Sequence, residues 1–158
     1  MSLKKTNAAR FLDTLKLPYE MTSYEVDEED LSAVHAAHAL GVTPECVFKT
    51  LVARDDAKRI LVACIPAQEE IDLKALAKVA QAKRCELVAV KELLGLTGYI
   101  RGGCSPLAMK KHYPTFIDES VHLHDKVYVS AGLRGVQLCL SPDVLIASTH
   151  AVCALLTK

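Results

Sequence analysis

The sequence predicts an α+β protein with a curved, mixed and largely antiparallel sheet, barrel-like in outline and surrounded by helices. Segments of helical spacing alternate with short β-branched runs along the chain. Two adjacent runs, CVFKTLVAR and RILVACIP, flank the polar DDAK and indicate a hairpin, and KVYVS and GVQLCL flank a glycine turn in the same way. Hairpins pair antiparallel, so a purely parallel sheet is excluded.

Helices are indicated by apolar residues that share one face and by residues typical of helix ends. Phe11, Leu12 and Leu15 share a face before Pro18 forces a stop. Gly41 is a suitable C-terminal cap and Asp72 an N-terminal cap. Helices are predicted at about 4–17, 31–40, 72–80 and 91–95, after Ser105–Pro106, and from Pro142.

Strands are indicated by short apolar runs between polar or glycine-containing turns. They are predicted at about 21–26, 46–54, 59–66, 83–90, 115–118, 126–130 and 135–140. No repeat, low-complexity tract or linker interrupts these elements. With 158 residues, of which 51% are apolar and 24% charged, the chain is predicted to form a single domain over residues 1–158.

Charge and cysteine usage restrict the possible partners and compartment. Lys plus Arg and Asp plus Glu both number 19, so no global positive field favours DNA, and any nucleic-acid contact is expected to be local. Asp13 and Lys16 interrupt the apolar run that a signal peptide needs, and no stretch is long enough for a membrane span. The six cysteines are widely spaced without a CxxC pair, which favours reduced thiols in the cytoplasm. His122 and His124 lack a third ligand, and neither a metal nor a cofactor is predicted.

Lys49 is the most unusual single residue. It is the only charge between Glu45 and Arg54, and period-two alternation gives it apolar neighbours on either face of the strand. A lysine is rarely buried without a partner, because removing water from an ammonium group is costly. Either it is a charge on an edge strand, where it prevents pairing with another strand and its ammonium group reaches water, or it belongs to a functional site.

The stretch GYIRGGCSPLAMKK, residues 98–111, combines two adjacent glycines with Ser105 and Pro106. A helix beginning there would direct backbone N–H groups at an anion or at the oxyanion of an attacked ester, and it would lower the pKa of Cys104. An ordinary strand-to-helix turn explains the same residues. Cys104 is a nucleophile, a ligand or an apolar filler residue. A nucleophilic cysteine needs a base, and the sequence places none beside it.

Taken together and in this order, VFKTLV, GYIRGGCSPLAMKK and YVSAGLRG resemble the YbaK/EbsC family of aminoacyl-tRNA deacylases, which are relatives of the editing domain in bacterial prolyl-tRNA synthetases. The resemblance covers nearly the whole chain. This sequence departs from the family pattern at Ala108, Ala131 and Leu133, and at Cys104, where the family often has an aliphatic residue. That departure favours filler or a pocket wall for Cys104.

The resemblance implies site residues in each motif. Lys49, Gly102 and Gly103 are the implied catalytic residues, with Lys49 on the terminal phosphate or ribose, or on the substrate carbonyl, and the 102–105 backbone facing the oxyanion. The implied substrate-binding residues are Tyr24, Phe48, Cys104, Ser105, Pro106, Ser130 and Gly132.

The implied activity is hydrolysis, in trans, of the ester that joins a wrongly attached small amino acid to the tRNA 3′ acceptor end, chiefly cysteine on proline tRNA. The thiol of a cysteinyl substrate can attack its own carbonyl in place of an enzyme nucleophile. Prolyl-tRNA synthetase is the implied partner. Two alternatives stay open: a non-catalytic module that binds aminoacyl-tRNA, and a thiol-dependent hydrolase of small esters that uses Cys104.

Overall fold

The computed structural model describes residues 3–158, so the first two residues of the predicted 1–158 unit lie outside the described part of the chain. The α-helices are α1 (Asn7–Thr14), α2 (Ala33–Leu40), α3 (Leu73–Val79), α4 (Val90–Thr97) and α5 (Pro142–Thr149), with 3₁₀ turns at Pro44–Cys46 and Glu119–Leu123. The strands are β1 (Glu20–Ser23), β2 (Phe48–Asp55), β3 (Ile60–Pro66), β4 (Cys85–Leu87), β5 (Thr115–Asp118), β6 (Val127–Ser130), β7 (Val136–Leu140) and β8 (Val152–Ala154).

The strands form two sheets. One has the order β4-β2-β3-β5-β8, and the other is β1-β7-β6. β3–β5 and β5–β8 are parallel and the other four pairings are antiparallel, which confirms the predicted mixed, largely antiparallel arrangement. An isolated bridge between Val47 and Tyr128 joins the two sheets. The sheets do not close around an axis, so "barrel-like" is a loose description of them.

Local signals explain where the helices begin and end. The Asp72 carboxylate accepts hydrogen bonds from the N–H groups of Lys74 and Ala75, and Gly41 ends α2 with a φ of +73°. Both predicted caps are therefore confirmed. Pro142 occupies the first turn of α5, as predicted. Among residues 3–158, no helix combines the length and the apolar character that a membrane span requires.

Two sequence-based predictions about elements are wrong. No helix follows Ser105–Pro106: the Ser105 hydroxyl accepts from the N–H of Leu107 (3.2 Å) in a local turn, and Ala108 has a φ of +58°. The Tyr99 hydroxyl also donates to the Leu107 carbonyl, which ties this turn to the end of α4. The strand predicted at 83–90 is limited to β4: the Val88 N–H still donates to the Val52 carbonyl (3.0 Å), and Ala89 then becomes the N-cap of α4.

β2 separates two apolar cores and so places the chain segment that carries the unusual lysine. Phe48 packs into the core that includes Ile117, Leu138 and Leu145, whereas Ala53, on the opposite face of the strand, packs into a second core with Leu76 and Leu156. Lys49 lies between these anchored positions. The strand around it is therefore held from both faces.

Candidate active site

A cavity of about 380 Å³ opens along the outer edge of β2. On that side β2 pairs with β4 at Ala53–Asp55 and touches β6 through Val47. On this outer side, residues 49–51 pair with no strand among the described residues, although their inner side pairs with β3, and the cavity occupies the gap. Its other walls are α2, the segment from β4 into α4, and the loop at 101–104. A cavity of this size is in the range of small-molecule sites.

Lys49 lines this cavity and is half-buried. Its Nζ donates to the carbonyl oxygen of Ala67 at 3.0 Å, at the end of the neighbouring strand β3. Burial lowers the pKa of Lys49 from its ordinary value, and the charges of Glu70 and Glu69 offset part of that shift. One of the three ammonium protons is used by Ala67, so Lys49 can still donate to a ligand.

The glycine pair divides into two roles. Gly102 lines the cavity with a φ of +85°, and a Cβ there would lie 3.2 Å from Leu31 Cβ. Gly103 is not among the lining residues: its N–H donates to Ile100 O (2.9 Å), and a Cβ would lie 3.1 Å from the backbone nitrogen of Arg134. Gly103 therefore packs the loop closely against the turn after β6.

Arg134 holds this loop in place from the outside. Its Nε donates to the Arg101 carbonyl (2.8 Å), and its guanidinium pairs with Glu28 at 3.2 Å. The side chain thus joins three segments that are far apart in the sequence: the acidic loop before α2, the loop at 101–104 and the β6–β7 turn. This is a structural reason for an arginine in the turn motif.

Cys104 lines the cavity as a half-buried free thiol. Burial raises its pKa to about 11. The expectation of a lowered pKa is wrong, because the helix whose N-terminus would have stabilised a thiolate does not form. None of the described residues that line the cavity is a histidine, and His112 instead packs against His150 with ring centroids 5.8 Å apart.

The structure brings most of the sequence-predicted site residues to the same cavity. Tyr24 follows the end of β1, where its N–H donates to Gly135 O (2.9 Å), and it forms part of the wall. The predicted residues that line the cavity are Tyr24, Phe48, Lys49, Gly102, Cys104 and Ser130.

Four predicted residues lie beside the cavity without lining it. Ser105 and Pro106 are buried beneath the loop. Gly132 has a φ of +101° and packs against the Tyr99 ring, and its N–H donates to the Ser130 hydroxyl at 3.1 Å. The residues outside the lining are Gly103, Ser105, Pro106 and Gly132.

Sequence reasoning missed two polar residues of the cavity. Arg101 precedes the glycine pair, and its guanidinium forms no hydrogen bond or ion pair with the residues that the structure describes. Gln137 is 6% exposed and lines the cavity from β7. The signal for Gln137 was a single polar residue inside the apolar run VQLCL.

The cavity has a positive charge balance. Among the described residues that line it, Lys49 and Arg101 carry charge and none is a carboxylate. The remaining wall is mainly apolar and small, from α2 and the β4–α4 segment. Such a site favours an electron-rich group, such as an ester carbonyl or a phosphate, beside a small apolar or weakly polar group.

This fold and this cavity define a class of protein. The model of the aminoacyl-tRNA editing domain matches residues 27–147, which include β2, the glycine loop and the β6–β7 turn. The chain belongs to this family. The resemblance found in the sequence motifs is thereby confirmed, and with it the class of reaction, hydrolysis of aminoacyl-tRNA esters.

A relative extends the match along the chain. The chain is 41% identical over 154 residues to the "Putative Cys-tRNA(Pro)/Cys-tRNA(Cys) deacylase EbsC" of Enterococcus faecalis (strain ATCC 700802 / V583), and the match covers 98% of this chain and 94% of that protein.

Solved structures share the fold. The crystal structure of the hypothetical protein APE2540 has a TM-score of 0.86 at 25% identity and covers 94% of this chain and 97% of its own. The crystal structure of "a putative trans-editing enzyme for prolyl tRNA synthetase" has a TM-score of 0.83 at 21% identity and covers 98% and 99% of the two chains. The predicted α+β architecture is therefore the fold of these two solved structures.

Proposed function

We propose that the protein hydrolyses, in trans, the ester between a misattached small amino acid and the terminal adenosine of tRNA, with Cys-tRNA(Pro) as its principal substrate. The observation that carries this proposal is the cavity beside Lys49, which offers two cations and no carboxylate among its described lining residues. The name of the E. faecalis relative supports cysteine as the amino acid. Residues 1–158 act as one editing unit in the cytoplasm.

Lys49 is proposed to hold the ester carbonyl, and not the phosphate. It lies in β2 with its Nζ held by the Ala67 carbonyl, which leaves two ammonium protons for a ligand in the cavity. A fixed donor that meets developing negative charge in a site with little water stabilises a tetrahedral intermediate strongly. Gly102 adds a second donor, since its N–H has no acceptor among the described residues.

Arg101 is proposed to contact the last internucleotide phosphate of the tRNA. It is exposed, it lines the cavity, and its guanidinium is free of partners within residues 3–158. A planar guanidinium pairs well with phosphate oxygens. Arg101 and Lys49 thus divide between them the roles that sequence reasoning gave to Lys49 alone.

The attacking group is proposed to come from the substrate or from water. The Cys104 thiol, with its pKa raised to about 11, is mostly protonated at neutral pH and has no lining histidine as its base. These observations favour the deacylase over the Cys104-dependent ester hydrolase. In a cysteinyl ester, the substrate thiol can attack its own carbonyl carbon, and the bond to the tRNA 3′ oxygen then breaks while that oxygen takes the thiol proton. The cyclic thioester that is left is opened by water to free cysteine.

The test is turnover of mischarged tRNA. Purified protein at a small fraction of the tRNA concentration is incubated with Cys-tRNA(Pro), Cys-tRNA(Cys) and Ala-tRNA(Pro), and the surviving ester is followed over time. Multiple turnovers of Cys-tRNA(Pro) are expected. If the ester survives as long as without protein although the tRNA binds, the non-catalytic module is correct instead.

A further inference from the structure

Gln137 is a buried amide without a partner. It lies on β7, the central strand of the three-stranded sheet, and it lines the cavity although it is 6% exposed. Its Oε1 is shielded from solvent and accepts no hydrogen bond from any residue that the structure describes. A buried acceptor left unpaired destabilises the fold, and native proteins rarely keep one without a use. The position of Gln137 indicates that a ligand supplies the missing donor.

Ser130 lies beside this amide. The register of β6 and β7 places Ser130 directly opposite Gln137, so both side chains leave the same face of the sheet. The Ser130 hydroxyl accepts from Gly132 N–H at 3.1 Å, which orients its oxygen and leaves a second lone pair. Thr22 faces Gln137 from the other side, on β1, but is not among the cavity-lining residues.

The two cations and the two neutral groups suit different ends of a substrate. Lys49 and Arg101 favour electron-rich atoms, namely the carbonyl and the phosphate oxygens. Gln137 and Ser130 offer oxygen acceptors, and the last side-chain torsion of glutamine is soft enough to turn Oε1 toward a donor. The hydrogen-bond donor that every aminoacyl ester carries next to its carbonyl is the α-amino group.

We infer that Gln137 Oε1 and Ser130 Oγ accept hydrogen bonds from the α-amino group of the bound ester, an inference that rests on the proposed function. It makes the cavity selective for esters whose amino group is free. An N-acylated ester, such as peptidyl-tRNA, has one amide proton in place of the amine and would press its acyl group against the buried wall of β6 and β7. The inference therefore predicts that N-acylated esters do not bind productively in the cavity.

The test compares two esters in a variant that keeps the side-chain length of Gln137. In Gln137→Met, kcat/KM for a cysteinyl ester of a tRNA acceptor stem is expected to fall about 10- to 100-fold, the usual effect of an unpaired donor or acceptor. The 3-mercaptopropionyl ester, which lacks the α-amino group, is expected to react equally with wild type and variant. The melting temperature is expected to stay at or above that of wild type. Thr22→Val is the matched control on the same sheet face and is expected to change neither ester.

Two results would overturn the inference: an unchanged rate of Gln137→Met with the cysteinyl ester, or equal losses with both esters together with a lowered melting temperature. Failure of the proposed function is a separate result, in which wild type hydrolyses neither ester. In that case the role of Gln137 is tested by binding. Calorimetric titration compares two non-hydrolysable adenosine analogues, in which cysteine or 3-mercaptopropionate is joined to the 3′ position through an amide. Equal affinity of wild type for these two analogues would also refute the role of Gln137.

Discussion

Lys49→Met separates the chemical role of the lysine from its role in the fold. Methionine keeps an unbranched stem against the apolar neighbours and removes the ammonium group. If Lys49 holds the developing oxyanion, its loss is expected to lower kcat by about 10²- to 10³-fold, or ~2.7–4 kcal/mol of barrier, as for other preorganised donors.

The effect on stability is expected to be much smaller. The variant loses one hydrogen bond to a charged group, between Nζ and the Ala67 carbonyl at 3.0 Å, for which ~1.5–3 kcal/mol is typical. It also removes the cost of desolvating an ammonium, and the lowered pKa of Lys49 shows that burial outweighs the nearby carboxylates. These two effects oppose each other, so we expect the free energy of unfolding to change by about 1 kcal/mol or less.

The pH dependence of unfolding gives an independent measure. The pKa of Lys49 in the folded chain lies below its ordinary value of 10.5. At a pH between these two pKa values, Lys49 keeps its proton in the unfolded chain and has lost it in the folded chain. Stability from this group therefore rises with pH in that window and is lowest below it. Lys49→Met is expected to lose this alkaline rise relative to wild type.

The assay is single-turnover deacylation of Cys-tRNA(Pro), with urea unfolding of each variant from neutral to alkaline pH. Lys74→Met is the matched control, because Lys74 is an exposed residue of α3 and its loss changes the net charge equally. Full activity of Lys49→Met would refute the catalytic role and would leave Lys49 as a charge on the unpaired edge of β2. A loss of several kcal/mol of stability would refute it too, since the lysine would then be a structural residue.

Three further outcomes are expected. Cys104→Ala should lower the deacylation rate less than about tenfold, because the Cys104 thiol of the wild type is protonated at neutral pH. A thousandfold loss, ~4 kcal/mol of barrier, would instead support the Cys104-dependent hydrolase. Arg101→Gln should raise KM about tenfold, ~1.4 kcal/mol, for a cysteinyl ester of CCA and leave cysteinyl adenosine unchanged, since adenosine has no internucleotide phosphate; equal effects on both would contradict the phosphate contact. With 19 basic and 19 acidic residues, the isolated protein should bind matched and unmatched tRNAs with similar affinity, and log affinity should fall with log salt concentration with a slope of about −2. Discrimination among tRNAs should appear when prolyl-tRNA synthetase is added. A steep slope together with a strong preference of the isolated protein for proline tRNA would contradict this partner.

Much of the fold was legible in the sequence because its signals act over a few residues. Asp72, Gly41 and Pro142 mark helix ends through bonds and torsions in their own turn, and the caps are found where they were predicted. The hairpin of β2 and β3 follows from two β-branched runs around a short polar turn. Lys49 was conspicuous because a charge stood alone in an apolar strand.

The tertiary structure decided what depends on distant neighbours. A helix after Ser105 agrees with local preference, but the Tyr99 hydroxyl takes the Leu107 carbonyl, and the turn stays irregular. β8 was not predicted, because three residues carry little periodicity and its partner β5 is parallel and remote in sequence.

The same division holds for the site. The sequence by itself determined the family, the lysine strand and the glycine loop, since each is a contiguous motif. Only the folded chain places Arg101 and Gln137 in the cavity of Lys49 and raises the pKa of Cys104, because cavity lining and burial arise from segments that meet after long loops close. Contacts of that kind have no local pattern, and packing alone creates them.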